Sequence, residues 1–504
     1  MLQFLVFDDE GPARTFPLGN AYMLGRDEVA QRAEIDFRDG RIRCRLRGPD
    51  PAALCVQQDA GSMGRLMLQT PLLPQRAEPY LLSLELARQR IKQFIVKSEE
   101  WQMFDLPPAH AAIRLWEEAR ELFTLAVNDA DPVSADRAAR RSVVVAVDAS
   151  ERLAMAHSEV LLHRRFGTRA ASSTTFGVGV WPGRFDAAQQ AFVEREADIV
   201  SIPLTWRDLE VVEGRYDWER TDRWMSWAHA RGKPIVAGPL LELSPRALPP
   251  WVEVWQNDFD TLRDLAYDHL AKVVERYRQV VGIWSLGAGL NVNDHFGFGA
   301  DQLVALLRTA SVLVRQMRRG ARTMIELSQP FGEHAAGRRE SVAPLSWLDR
   351  VVQEGLHLDC LGVRVRFGLG RDGLAARDLM QVSAMLDRLL PFELPVMVTG
   401  LGVPAERVDP AAGQWHGGYS PELQAEWATR LFSIAMSKPF VEAVVWGDLA
   451  DHAGQALPRA GLLTETGEAR PAAAQLAVAR RRLRKPLGLL KVSARAAVLG
   501  EVEG

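Results

Sequence analysis

The sequence predicts an α/β protein built on a (β/α)8 TIM barrel, preceded by a small β-sandwich-like module and a helical connector. Eight apolar, β-branched runs alternate with helical patterns over about 300 residues, which points to a closed parallel sheet. No Gly-x-Gly-x-x-Gly opens a helix after the first run, which weighs against an open doubly wound sheet. At 504 residues the chain exceeds the size at which one core keeps growing, so more than one domain is expected.

Residues 1–75 read as the β module. Leu2 to Phe7 is a strand, Ala33 to Arg47 a hairpin turning at Asp39-Gly40, and Gly64 to Gln69 a further strand. Residues 76–170 switch to the helical period. One apolar stripe runs through Leu84, Ile91 and Phe94, a second through Ile113, Trp116 and Leu122, and a third through Val143, Leu153 and Val160. Asp105-Leu-Pro-Pro108 and Asp129-Ala-Asp131-Pro132 punctuate them. His157 and His163 read as packing or surface residues, because no acidic or cysteine partner sits at ligand spacing.

The barrel is expected over 171–485, after the polar linker Ala170 to Thr174. Its strands are placed at Thr175–Val180, Ile199–Pro203, Pro234–Leu241, Val281–Leu286, Thr323–Leu327, Cys360–Val365, Val396–Thr399 and Val441–Trp446. Residues 486–504 form a tail, and the basic Arg480 to Lys485 suits the negative end of a helix dipole.

Composition narrows the function classes. Hydrophobic content of 47% and charged content of 25% are ordinary for a globular chain, and a net charge of −3 argues against nucleic acid or an anionic membrane as partner. Cys44, Cys55 and Cys360 are too few and scattered for a disulfide framework or zinc site, and read as buried apolar residues. The amino terminus has no basic leader and no run reaches the roughly 20 apolar residues of a membrane span, so a cytoplasmic protein is expected. Phosphate loops, zinc pairs and nucleophile elbows are absent from the sequence, so no metal or cofactor is expected. Fourteen Trp against six Tyr is unusual, and Trp both packs cores and stacks on sugars.

Function in such a barrel gathers on loops leaving the strand carboxyl ends. Trp206-Arg-Asp-Leu-Glu210 with Gly214-Arg-Tyr216-Asp-Trp218 and Asp222 follows the second strand. Lys233 to Leu240 leads to Leu248-Pro-Pro-Trp251 after the third, and Arg276-Tyr277 precedes Ile283-Trp284. Pro395-Val-Met-Val-Thr399 and Val445-Trp446-Gly447 belong to the last two strands. In this order the motifs resemble those of glycoside hydrolase family 10, the endo-xylanases.

That resemblance implies binding of a β-linked polysaccharide or oligosaccharide. Family 10 cleaves β-1,4-xylan with retention, which needs an acid/base and a nucleophile carboxyl about 5–5.5 Å apart. Carried onto this chain, the acid/base falls on Gly289 and the nucleophile on Gly400. The residues around the reacting sugar become Thr205, Gly238, Glu242, Arg364 and Arg366, while Trp446 is kept. Glycine can neither donate a proton nor attack carbon, so the inherited hydrolysis is expected to be impaired or lost.

Three glutamates are candidates for relocated catalytic groups. Glu242 ends the third strand, Glu326 ends the fifth and Glu333 follows it, with Arg364 and Arg366 as positive neighbours. Strand-end carboxylates also serve simply to pair such arginines. Trp206, Thr205, Asn291, Arg364, Arg366 and Trp446 are the expected substrate contacts, with Asn293, His295, Trp251 and Trp255 as further polar or stacking groups. The asparagines would otherwise cap the following helix. Three readings follow: a degenerate sugar-binding protein, an active glycosyl hydrolase using displaced acids, or a structural and assembly protein.

Overall fold

A computed structural model describes residues 1–9, 11–167, 175–370 and 373–484. The linker Ala170 to Thr174 and the tail 486–504 lie outside the described residues.

Eight strands close a parallel barrel in sequence order: β1 (Thr175–Gly179), β2 (Ile199–Ile202), β3 (Ile235–Ala237), β4 (Ile283–Ala288), β5 (Arg322–Leu327), β6 (Cys360–Arg366), β7 (Val396–Gly402) and β8 (Val441–Trp446). β8 returns to β1 with Val444 opposite Phe176 and Trp446 opposite Val178. Parallel strands need crossovers, and a helix fills each one, burying its apolar face on the sheet. The strand that the sequence places at Pro234–Leu241 is shorter, since Pro239 has no N–H to give to a ladder. In contrast, β7 runs past Thr399 to Gly402, pairing Arg364 with Gly400 and Arg366 with Gly402.

The amino-terminal segment forms two sheets. Ala33–Arg38 and Arg41–Leu46 make the expected hairpin around Asp39-Gly40, which joins Leu2–Leu5 and Tyr80–Leu81. The second sheet holds Tyr22–Leu24, Ala30–Gln31, Ala53–Asp59 and Gly64–Gln69. Its fifth strand comes from far along the chain: Gln414–Trp415, on the segment between β7 and β8, pairs antiparallel with Gly64 and Arg65. Short apolar patterning cannot announce such a two-residue strand, because its partner sits hundreds of residues away.

Three helices follow: α1 (Leu82–Glu100), α2 (Ala111–Asn128) and α3 (Pro132–Gly167). They weld the sheets to the barrel through buried polar contacts. Arg90 of α1 pairs with Asp378 at 2.6 Å, both essentially sealed from solvent. Glu151 of α3 accepts hydrogen bonds from the Trp415 indole (2.5 Å) and the Leu379 amide (3.2 Å). One apolar core runs continuously from Leu2 and Phe4 through Val143 and Leu153 to Val178 and Trp446. His157 packs its ring on Trp101 at 4.7 Å, and burial, with Lys438 and Arg164 adding to it, pulls its pKa down to about 3. The three cysteines are buried and unpaired with one another, and burial pushes each thiol up to about 12. No helix among the described residues is long and apolar enough to cross a membrane.

Candidate functional site

A cavity of about 510 Å3 opens at the carboxyl ends of the barrel strands. Residues of β1, β2, β5, β6 and β7 and of the loops after β1, β2, β3 and β8 line it, while no residue of β4 does.

Glu326, next to last in β5, lines this cavity. It is buried, and accepts hydrogen bonds from Ser285 Oγ (2.5 Å), Thr399 Oγ1 (2.6 Å) and Arg364 Nε (3.0 Å). Burial alone would raise its pKa, yet the Arg364 charge and these donors outweigh it and hold the carboxyl below its ordinary value. Arg364 Nη1 reaches 3.0 Å to Glu242 Oε2, so a single guanidinium joins the two glutamates. Its burial favours the neutral form, but the two carboxylates more than compensate and fix the positive charge. An ionised Glu326 that accepts three hydrogen bonds carries no proton and is poorly suited to act as acid toward a leaving group.

Gly289 and Gly400, onto which the resemblance maps the two family carboxylates, sit in different backbone settings. Gly289 closes a turn after β4 at φ +66°, a conformation in which a side-chain-bearing residue is strained by about 1–3 kcal/mol. Its N–H donates to the Glu326 carbonyl at 3.2 Å. Gly400 lies in β7, and its side-chain space is tight. A Cβ on Gly400 would stand 3.0 Å from Nη2 and 3.1 Å from Nε of Arg366. The same guanidinium edge presses on Gly447 at the end of β8, 3.1 Å from a Cβ there. Arg366 thus lies across β7 in a slot made by two glycines.

Arg366 makes no hydrogen bond or ion pair with another described residue. Burial lowers its pKa, and Arg364 adds to that, while Asp448, Glu242 and Glu326 oppose from beyond pairing distance.

Of the other expected contacts, Thr205 and Trp206 line the cavity. Trp206 is nonetheless buried and committed elsewhere. Its indole donates to Glu210 (2.7 Å), and its ring stacks on His269 at 4.6 Å. Glu210 also accepts from Tyr216 (2.7 Å) and the Gly214 amide (2.8 Å). Burial would raise its pKa, but hydrogen bonds from His269, Tyr216, Trp206 and Gly214 hold it at about 2. The Trp-x-x-x-Glu motif therefore clamps the loop after β2.

Three expected site residues stand apart from the cavity. Glu333 is directed to Arg377, beneath the amino-terminal sheets and next to Tyr22, because the loop after β5 turns outward. Asn291 is fully buried, donating to Ser328 O (2.8 Å) and accepting from Ser328 N, so it ties the β4 loop to the β5 loop. Trp446 is sealed in the core with its indole on Ala460 O (2.9 Å), which leaves no face for a sugar. Asn293 likewise braces the loop, donating to Phe298 O and Glu340 O, and Gly299 rather than either asparagine precedes the next helix.

Sequence reasoning passed over Trp181 and His452. Trp181 follows β1, and its ring stacks on His452 at 4.6 Å and 5° on the cavity wall. His452 Nε2 lies 3.4 Å from Asp448 Oδ1. Their place just past the ends of β1 and β8 is the signal that nominates them.

No family profile matches the chain. Among curated proteins, endo-1,4-beta-xylanase 3 of Hypocrea jecorina is 32% identical over 83 residues, 16% of this chain. The match spans 23%, about a quarter, of that relative's length. Among solved structures, the fold is similar to xylanase 10B of Thermotoga petrophila in complex with xylobiose, at 14% identity and a TM-score of 0.48. The likeness covers 64% of this chain and 97% of that one. An endo-1,4-beta-xylanase of Penicillium canescens is similar at 18% identity and a TM-score of 0.48, covering 64% and 96%. The chain resembles family 10 in its barrel.

Proposed function

We propose that this chain is a family 10-like protein of carbohydrate metabolism. It binds β-linked, xylan-like polysaccharide at the barrel mouth without hydrolysing it by the retaining mechanism of that family. The observation that carries the reading is the Arg366 guanidinium pressed against Gly400. A retaining hydrolase needs a carboxylate there, poised for carbon one, and a second carboxyl about 5–5.5 Å away. On the placement that the resemblance implies, an arginine crowds the nucleophile's position and the acid's position is a glycine turn. Loss of general acid–base help alone forfeits about 10²–10⁴-fold in rate.

Binding still has support. The cavity presents the Trp181 ring, Thr205, and the hydrogen-bonding groups of Arg366, Glu242 and Asp448, a mixture that suits sugar hydroxyls and an apolar pyranose face. The motif resemblance and the 83-residue xylanase match point to the same ligand class.

The test is calorimetric titration with xylotetraose beside a reducing-sugar assay on xylan. Binding without sugar release is expected. Release that disappears in Glu242→Gln or Glu326→Gln would favour displaced catalytic acids, and no binding to any β-glycan would favour a structural or assembly role.

A further inference from the structure

We propose that the cavity selects an acidic sugar, with Arg366 receiving the carboxylate of a uronic acid in a β-linked oligosaccharide. This rests on the sugar-binding reading above and names its substrate class.

The argument is one of charge accounting. The nearest carboxylates at the cavity are held by other groups: Glu326 and Glu242 share Arg364, and Asp448 lies 3.4 Å from His452. Arg366 makes no hydrogen bond or ion pair with a described residue, although it is partly covered and lines the cavity. Charges withdrawn from water are normally paired, because the desolvation cost is otherwise uncompensated. The sequence nonetheless holds this one in place, with glycines at 400 and 447 giving its Nε and Nη2 edge a fixed seat. A held, unclaimed guanidinium at the end of a sugar-sized cavity is an anion receptor.

The kind of anion follows from the neighbours. A planar guanidinium fits a planar carboxylate through two parallel hydrogen bonds. Asp448, Glu242 and Glu326 surround Arg366 at longer range and penalise a dianionic phosphate more than a singly charged carboxylate. Neutral xylose would leave the guanidinium without a counter-charge.

The experiment compares xylotetraose with xylotetraose carrying one glucuronic acid branch, by calorimetry at low and high salt. The acidic probe is expected to bind about tenfold or more tightly, as for a charge-assisted hydrogen bond, with the preference shrinking at high salt. The preference is expected to fall to near unity in Arg366→Gln and to an intermediate value in Arg366→Lys, which keeps charge but loses the fork. Equal affinity for both probes in the unmodified protein would overturn the proposal and leave the sugar-binding reading intact. Failure of both probes to bind would overturn that reading itself. A preference that survives Arg366→Gln, or tighter binding of xylose 1-phosphate than of glucuronate, would also refute the assignment. The salt dependence of the unmodified protein keeps the test decisive should Arg366→Gln fold poorly.

Discussion

Arg366 and Gly400 occupy complementary halves of one space: the guanidinium edge lies 3.0 Å from where a Cβ on Gly400 would stand. Glycine at 400 therefore gives this guanidinium room, and any larger residue there would have to push it aside by a few tenths of an ångström. Placing Glu at 289 and 400 is expected to yield no hydrolysis, because the Arg366 guanidinium beside position 400 would pair with one carboxylate and the φ +66° turn misdirects the other. Gly289→Ala alone is expected to cost about 1–3 kcal/mol in urea unfolding. Reducing-sugar release by the double glutamate variant would contradict this account.

The bridge through Arg364 makes its two glutamates unequal. Glu326 is buried on three donors, whereas the Glu242 side chain is 26% exposed. Arg364→Met strands a buried carboxylate and is expected to destabilise by about 3–5 kcal/mol. Glu242→Gln is expected to cost about 1 kcal/mol or less, as for a solvent-screened pair. Chemical denaturation of the two variants checks the ranking, and equal losses would count against it.

Acid should weaken the fold in two steps. His157 has a folded pKa of about 3, below its ordinary 6.5, so folding favours the neutral ring. Stability is complete above pH 6.5 and drains as pH falls toward 3. Glu210 is held at about 2 against an ordinary 4.5, so its contribution is full above 4.5 and drains as pH falls toward 2. Thermal unfolding across pH should show His157→Phe flattening the upper window only. Glu210→Gln should lose most at neutral pH, and its deficit should shrink below 4.5.

Two tryptophans at the barrel mouth should separate binding from stability. Trp181→Ala is expected to weaken xylotetraose binding by about two- to tenfold, the loss of one stacking face at about 0.5–1.5 kcal/mol, with little change in Tm. Trp446→Ala removes a sealed core ring and is expected to cost about 3–5 kcal/mol. The reverse pattern, with Trp446 governing affinity, would show that the core assignment is mistaken.

Much of the barrel could be read from local pattern. The β8 strand, Val441–Trp446, and the Gly64–Gln69 strand have the limits that apolar alternation suggests. The shortened β3 departs because one proline interrupts an otherwise apolar run. In the site, position at a strand end sufficed to nominate Glu242, Glu326, Arg364 and Arg366. It failed for Glu333 and Asn291, whose loops leave the barrel axis, and for Trp446, whose ring turns to the core.

The chain's own order of residues determined the barrel, the interior-facing alternation, and the glycines at 289 and 400. Those are local properties: a side chain's period along a strand, or its absence, does not depend on distant neighbours. Only the tertiary structure decided that one arginine would hold two glutamates, that another would lie across Gly400 and Gly447, and that Trp181 would meet His452. Loop paths and rotamers at the mouth are set by contacts between segments hundreds of residues apart, and no local periodicity encodes them.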